Sequence, residues 1–559
     1  MVEPRIALVG WLALVGSSTS CTVEIPAILP PFDEAGDDEA GESESESDEG
    51  PVDESGFPDE LLDLPEGGEA LPPACGLHGR SLDGALPCDL PPPSEVIDPV
   101  VAWTWTGPEG ETSVVVTPLV ANFDDDDESG TVDLCDRPDV LVIAVDLAPA
   151  KSAPWPAGHV YVLDGGSGSA SQRFEHPVDA SITPAVADLD ADGELELVAM
   201  EAEHEGKLQD HIARRLIVFE HDGSVRALGE WSPPQPGGGA IAIADLDRDG
   251  SPELLGPGVV ADADAQPRWW ASPVQPNTTP VAVDLDLEGE LEVLIGGNAY
   301  TAEGVEIFDA SGIQPNAGTA AVANFDADPF PEIYVQVNSH RILEHDGTVK
   351  TNCQGGGGFP VAVDDLDDDG QAEILHAHKN HVSVLEVFGD DDDEKCKVSW
   401  SYKVDEADAQ SSGTAFDLLG DGEPESIYAD RSRIRILSSE GIPLAELPRT
   451  ARPSIANPIV ADVDDDGAAD IVVVSSEPIS GEQGKAGAST ASVIVLRNSD
   501  DRFAPARRVW NQHTYHGSNI GEDGHVPIHE PPHWLSDLGF RTNESPNADG
   551  AVCQPPAQP

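Results

Sequence analysis

The sequence predicts an all-β chain: a β-propeller of eight (alternatively seven) four-stranded blades, preceded by a disordered acidic stalk. Three observations carry this. One acidic phrase flanked by short apolar runs recurs eight times. Several recurrences lie about 40 residues apart, the length of a four-stranded blade. Gly (54) and Pro (49) are frequent while aromatics make up 5% of 559 residues, which suits short strands and turns rather than long helices.

The chain opens with MVEPRIALVGWLALVGSSTSC. An apolar run, Ile6 to Val15, follows Arg5; it is too short to span a bilayer and has the length of a signal-peptide core. Residues 1–20 therefore read as a signal peptide. The small-residue run ending in Cys21 resembles the lipobox of bacterial lipoproteins, which implies an acylated Cys21 and an envelope or surface location, with secretion as the alternative. Residues 21–70 read as lipid attachment and linker. Positions 33–69 hold 17 acids and no Lys or Arg, so this stretch cannot bury a core and repels itself into an extended coil. A Cys-containing lead-in spans 71–99. Six cysteines remain after Cys21, an even number that suits disulfides in an exported chain and allows 15 pairings; Cys75 and Cys88 are the local candidates.

The repeats occupy 100–500. Five copies are intact: Asp188, Asp190, Asp192 and Glu196; Asp245, Asp247, Asp249 and Glu253; Asp284, Asp286, Glu288 and Glu292; Asp365, Asp367, Asp369 and Glu373; Asp462, Asp464, Asp466 and Asp470. In each, Gly follows at the sixth position. Three copies are degenerate. One offers Asn324, Asp326, Asp328 and Glu332, with Pro329 in place of Gly. Another offers Asp417, Asp421 and Glu425, with Leu419 at the third position. The first offers Asn122, Asp124 and Asp126, then an insertion before Asp139.

Acids at positions 1, 3, 5 and 9 crowd hard oxygens into one small loop, a donor set that suits Ca²⁺ with its six to eight oxygen ligands. Without a cation they repel one another. An EF-hand also begins DxDxDG but needs a Glu at position 12 between helices. Position 12 here is Ala199, Gly256, Ile295, His376 or Val473, and the flanks are short β-prone runs.

First positions at 122, 188, 245, 284, 324, 365, 417 and 462 give spacings of 66, 57, 39, 40, 41, 52 and 45. Each unit reads as strand, acidic loop, strand, third strand and DG-type turn, then a fourth strand that often carries Trp: Trp231, Trp269–Trp270 and Trp400. The run VVAWTWTGPEG at 100–110 is an orphan fourth strand, and the last unit has only three, so the N-terminal strand is expected to complete the final blade.

With this spacing and these flanks, the chain resembles the FG-GAP and VCBS repeat family, the calcium-binding repeats of integrin α-subunit propellers and many bacterial surface proteins. The resemblance implies calcium held between the first two strands of each blade by the acids named above. The extension at 501–559 gathers Trp510, His513, Tyr515, His516, His525, His529, His533 and Trp534. Similar VWNQHxYH tails accompany such repeats, and packing against the propeller is expected; His513 and His516 are the candidates for a transition-metal pair.

The 28 basic and 105 acidic residues leave a net charge of -77, which argues against nucleic acid or anionic lipid as a partner. No nucleophile elbow, HExxH or P-loop is present. Three consecutive spacings near 40 leave no room there for long catalytic loops. The expectation is a calcium-stabilised surface adhesion or binding lipoprotein, not an enzyme, with an extracellular protein or polysaccharide as ligand. The alternatives are a passive envelope component and an extracellular polysaccharide lyase or hydrolase.

Overall fold

The computed structural model describes residues 92–545, except 127–129, 148–156, 206–209, 273, 311–318, 327, 337–339, 354–359, 379, 389–394, 405–411, 453–454, 478–490 and 536–538. The expectations for the signal peptide, Cys21, the acidic stalk and the Cys75–Cys88 pair fall outside the described residues.

Eight four-stranded antiparallel sheets follow one another along the chain as the blades of a propeller. Blade 4 shows the pattern: Val281–Val283, Glu292–Ile295, Asn298–Tyr300 and Glu306–Asp309 pair in sequence order. Its first three strands are buried throughout and the fourth is largely exposed, so burial falls from the axis to the rim. Strands buried on both faces read as continuous apolar runs, which is why the inner strands are Val-, Ile- and Ala-rich instead of alternating. In blade 1 two further short strands, Ser113–Val114 and Val178–Asp179, extend the sheet.

The ring closes as the orphan strand suggested. Pro99–Trp105 pairs antiparallel with Val493–Asn498 and completes blade 8, whose other strands are Ile459–Ala461 and Asp470–Val474. The units with degenerate loops also form full blades, so the count is eight. Trp269, Trp270 and Trp400 lie on fourth strands, but Trp231 does not: that strand ends at Leu228, and the Trp231 ring lies 4.6 Å from the Arg215 guanidinium.

Neighbouring blades interlock through aromatic rings and the DG turns. Trp103, Phe174, Trp269, Phe308 and Trp400 sit on Gly168, Gly223, Gly304, Gly347 and Gly441 of the next blade. A Cβ on these glycines would lie 2.3–2.7 Å from ring carbons, and each has a positive φ, so both space and backbone require glycine. Between blades 5 and 6 a disulfide, Cys353–Cys396, joins the two fourth strands. Cys135 is also disulfide-bonded.

The C-terminal segment is part of this core. Its chain visits all eight blades, in their own order. Trp510 exchanges both backbone hydrogen bonds with Val120 of blade 1 (3.0 and 2.7 Å). Asn511 accepts from Val186 of blade 2, and the Gln512 side chain accepts from the Ile243 amide of blade 3. Thr514 donates to Pro280 beside blade 4, and His533 reaches the Val322 carbonyl of blade 5. Phe540 exchanges two bonds with Val363 of blade 6, Thr414 of blade 7 donates to the Arg541 carbonyl, and Asn543 donates to Val460 of blade 8. Each first strand has an inner edge with no neighbouring strand, and buried peptide groups there need partners. This segment supplies them. Trp510 is 1% exposed and stacks on Tyr515 at 4.6 Å.

Two outcomes are expected. Trp510→Ala should cost about 3–5 kcal/mol, whereas Trp231→Ala, at a site 42% exposed, should cost about 1 kcal/mol or less; denaturant titration measures both, and equal effects would contradict the axial packing. Opening the Cys353–Cys396 bridge with Cys396→Ser should cost up to about 4 kcal/mol, the chain-entropy value for a separation of 43 residues.

Candidate metal centres

All eight acidic loops join a first strand to a second strand. The acid at position 9 opens the second strand and is buried in every blade. One of its oxygens accepts the backbone N–H of position 2 at 2.7–3.3 Å, in blade order from Asp139, Glu196, Glu253, Glu292, Glu332, Glu373, Glu425 and Asp470. Position 2 is a buried apolar residue (Leu, Phe or Val), so the carboxyl fixes the end of the first strand and its second oxygen is left facing the loop.

Position 1 closes the turn. Asp245, Asp365, Asp417 and Asp462 each accept the amides of positions 5 and 6, at 2.7–3.1 Å. Asp188 accepts those of Ala191 and Gly193. Position 6 takes φ of 83–99° in six loops, which only glycine adopts without strain; position 4 takes 56–66°, a feature the sequence does not advertise because Ala191, Arg248, Leu287, Asp368 and Asp465 all occupy it.

Carboxylates converge in several loops. Asp188, Asp190 and Glu196 each place an oxygen within 4.8 Å of the others, as do Asp245, Asp247 and Asp249; Asp284, Asp286 and Glu292; Asp326, Asp328 and Glu332; and Asp365, Asp367 and Glu373. Asp192 and Glu288 are exposed and outside these sets; Asp192, like Asp369, Asp421 and Asp466, accepts the amide two residues on. In blade 7, Asp417 and Glu425 hold the loop as elsewhere, with Leu419 contributing no oxygen. In blade 1 the insertion redirects the loop: the Asn122 amide donates to the Asp133 carbonyl and Asp126 pairs with Arg137 at 3.5 Å.

The donor set suits a hard cation. Glu196 Oε1, Asp247 Oδ1, Asp284 Oδ1 and Asp464 Oδ1 are enclosed oxygens with no hydrogen-bond donor among the described residues. Burial, with added repulsion from loop acids, pushes Glu196, Glu373 and Glu425 up to about 8 and Glu292 to about 7. Burial also raises Glu253 to about 7 and Glu332 to about 8, even beside Arg268 and Lys350. Asp139 and Asp470 are raised well above the usual range for the same reason. These carboxylates sit where their charge is unfavourable unless a cation is near.

Sequence reasoning missed the basic side chains that reach four of the loops. Arg226 contacts Asp190 (3.0 Å) and Glu196 (3.5 Å), Arg268 contacts Asp247 (2.9 Å) and Glu253 (2.6 Å), Arg497 contacts Asp464 (2.9 Å), and Lys350 enters the blade 5 loop. Each lies 15–30 residues beyond the last acid of its loop and meets it only through blade pairing. The structure does not bring His513 and His516 to a common site: His513 Nδ1 bonds Thr117 Oγ1 (2.9 Å), while His516 bonds Glu530 (2.6 Å) and the Thr514 carbonyl.

A second unpredicted cluster lies where blade 8 meets blade 1. An open cleft of about 710 Å³ is lined by Trp105, Glu111, Tyr161 and Arg173, among others. Glu111 accepts from the Tyr161 hydroxyl and bonds His159 (2.6 Å), and Arg173 donates to the Tyr161 oxygen (3.0 Å). Burial and the Glu111 bond push Tyr161 up to about 12, so the phenol stays protonated.

No protein-family model matches the chain, and no curated protein matches it. Among solved structures, the V. cholerae biofilm matrix protein Bap1 is similar over 80% of this chain and 99% of its own, at 18% identity and a TM-score of 0.62. A Bacillus licheniformis rhamnogalacturonan lyase is similar over 79% and 80%, at 15% identity and a TM-score of 0.47. The rhamnogalacturonan lyase YesX covers 72% and 75%, at 14% identity and 0.45. The likeness to Bap1 is one of fold.

Proposed function

We propose that the chain is a calcium-stabilised surface binding or adhesion protein, of the FG-GAP/VCBS type, carried outside the cytoplasm on a lipid anchor at Cys21. The observation that carries this is the repeated loop in which a buried position 9 carboxyl gives one oxygen to the backbone and holds the other, beside converging Asp side chains, for a cation. Asp188, Asp190 and Glu196, and their counterparts in the other well-formed loops, are the ligands in this reading. Bound calcium supplies charge neutralisation and pins the first two strands of a blade together. A biofilm matrix protein shares the fold, which suits an extracellular protein or polysaccharide as ligand. The competing reading, a polysaccharide-degrading enzyme, would draw on the Glu111–Tyr161–Arg173 cleft.

Chelation and pH test the metal. In metal-free protein the folded-state pKa of Glu373 lies near 8, against an ordinary 4.5. A raised carboxyl pKa favours the folded state at low pH, so this contribution is lost as pH rises from about 4.5 through about 8. The melting temperature in chelator should fall over that window. Calcium should abolish the fall, because it binds the carboxylate form, and magnesium should substitute poorly because it demands a smaller octahedral shell. Glu373→Gln should raise the melting temperature in chelator and lower it in calcium. A variant that shifts both in one direction would show that this loop is not a ligand set.

Binding is tested separately. The purified chain should retain a subset of extracellular polysaccharides or surface proteins on an array, and lose them in chelator. Release of unsaturated oligosaccharides from any retained polysaccharide, abolished by Tyr161→Phe or Arg173→Ala, would replace adhesion with the enzymatic reading.

A further inference from the structure

In every blade the fourth strand carries a one-residue bulge against the third. The skipped residues, for blades 1 to 8, are Ser171, Arg226, Arg268, Ile307, Lys350, Ser399, Leu444 and Ala102. A bulge leaves one residue out of the ladder and re-aims its side chain. Where that residue is basic, it points into the acidic loop of its own blade: Arg226, Arg268 and Lys350 all do so.

Lys350 goes furthest. Its side chain is 4% exposed, and its ammonium contacts Asp326, Glu332 (3.1 Å) and Glu344 (3.1 Å). An ammonium has three donors, and here three carboxylates face it. The loop around it departs from the others in two further ways. Pro329 replaces the sixth-position glycine, and its fixed negative φ forbids the turn the other loops make. Asn324 donates its amide N–H to the Asp328 carbonyl (2.5 Å) while its Oδ1 accepts the Asp326 amide (2.9 Å), so position 1 brings a neutral group in place of a carboxylate.

We infer that blade 5 takes no divalent cation because Lys350 is its built-in cation, and that the bulged position of the fourth strand sets how far each loop depends on metal. This rests on the calcium reading above. Arg226 and Arg268 are more exposed (17% and 32%) and each contacts two acids of its own intact loop, so metal can displace them. Ile307 and Ser399 bring no charge, so the loops of blades 4 and 6 depend on metal more than those of blades 2 and 3, and blade 6 most, because Arg248 of blade 3 lies beside Gly289 and Asp284 of the blade 4 loop.

Two experiments on the full chain test this. In crystals grown with calcium, anomalous scattering should place ions in the loops of blades 4 and 6 and none between Asp326 and Glu332. An ion within about 2.6 Å of those two carboxylates, with Lys350 displaced, overturns the inference while leaving the calcium reading intact; no ion in any loop overturns both. The second converts blade 4 to the blade 5 solution. Ile307 is 45% exposed, so Ile307→Lys should fold. It should bind one calcium fewer than the unaltered chain by equilibrium dialysis and melt at a higher temperature in chelator. Unchanged stoichiometry with an unchanged melting temperature in chelator would refute the role of the bulged position.

Discussion

The inner edge of eight first strands is the constraint from which most of the structure follows. Arranging sheets around an axis leaves each innermost strand with peptide groups facing a narrow channel, where an unmet N–H or carbonyl is costly. Here the chain fills the channel with its own C-terminal segment, which passes the blades in order and gives every one a hydrogen bond. Where the segment is buried its polar side chains are paired: Arg507 with Glu522 at 2.7 Å, Arg508 with Asp465 of the blade 8 loop at 3.1 Å, and His516 with Glu530. Trp510, His513, Tyr515, His516, His533 and Phe540 are thus packing and bonding elements of a core, whereas His525 and His529 are exposed.

Ring closure makes the two ends of the repeat region interdependent. The first strand, Pro99–Trp105, belongs to the last blade, and the axial segment spans all eight. Contacts of such sequence separation form late and hold the ring as a unit once made. The interlocks between blades work in the same sense: a ring from one blade lies on a turn glycine of the next, and a disulfide bridges blades 5 and 6. Such a body offers fixed loops on its faces, which suits presentation of a binding surface.

Against that frame stands an electrostatic problem of the chain's own making. Eight loops concentrate carboxylates in half-buried turns of a protein already at -77. Burial of the position 9 acid is structurally useful, since it fixes the first strand, but it raises the pKa of the group and leaves an oxygen without a donor. One remedy is seen in the structure, a tethered guanidinium or ammonium from the fourth strand (Arg226, Arg268, Lys350) or the third (Arg497); the proposed divalent cation, held by the converging acids, is the other. In the proposed reading the balance between them varies from blade to blade, because one bulged position can change without disturbing the ladder around it.

The sequence by itself determined the repeat, the blade count to within one, the N-terminal strand's place in the last blade, and which acids share a loop. These follow from local spacing: Asp at positions 1, 3 and 5, Gly at 6 and an acid at 9 lie within nine residues, and strand pairing of adjacent segments keeps them together. It also placed a fourth strand in each unit but extended one to Trp231, which lies past the strand's end because composition does not mark where pairing stops. What only the tertiary structure decided are the meetings across long separations. Lys350 comes to Asp326 because blade 5 folds its outer strand beside its inner loop. Glu111, His159, Tyr161 and Arg173 meet in a cleft where the closed ring brings its first and last blades together, and Trp510 meets Val120 across 390 residues because the C-terminal segment runs along the inner edges of the blades. No periodicity encodes such pairs; they are consequences of closure.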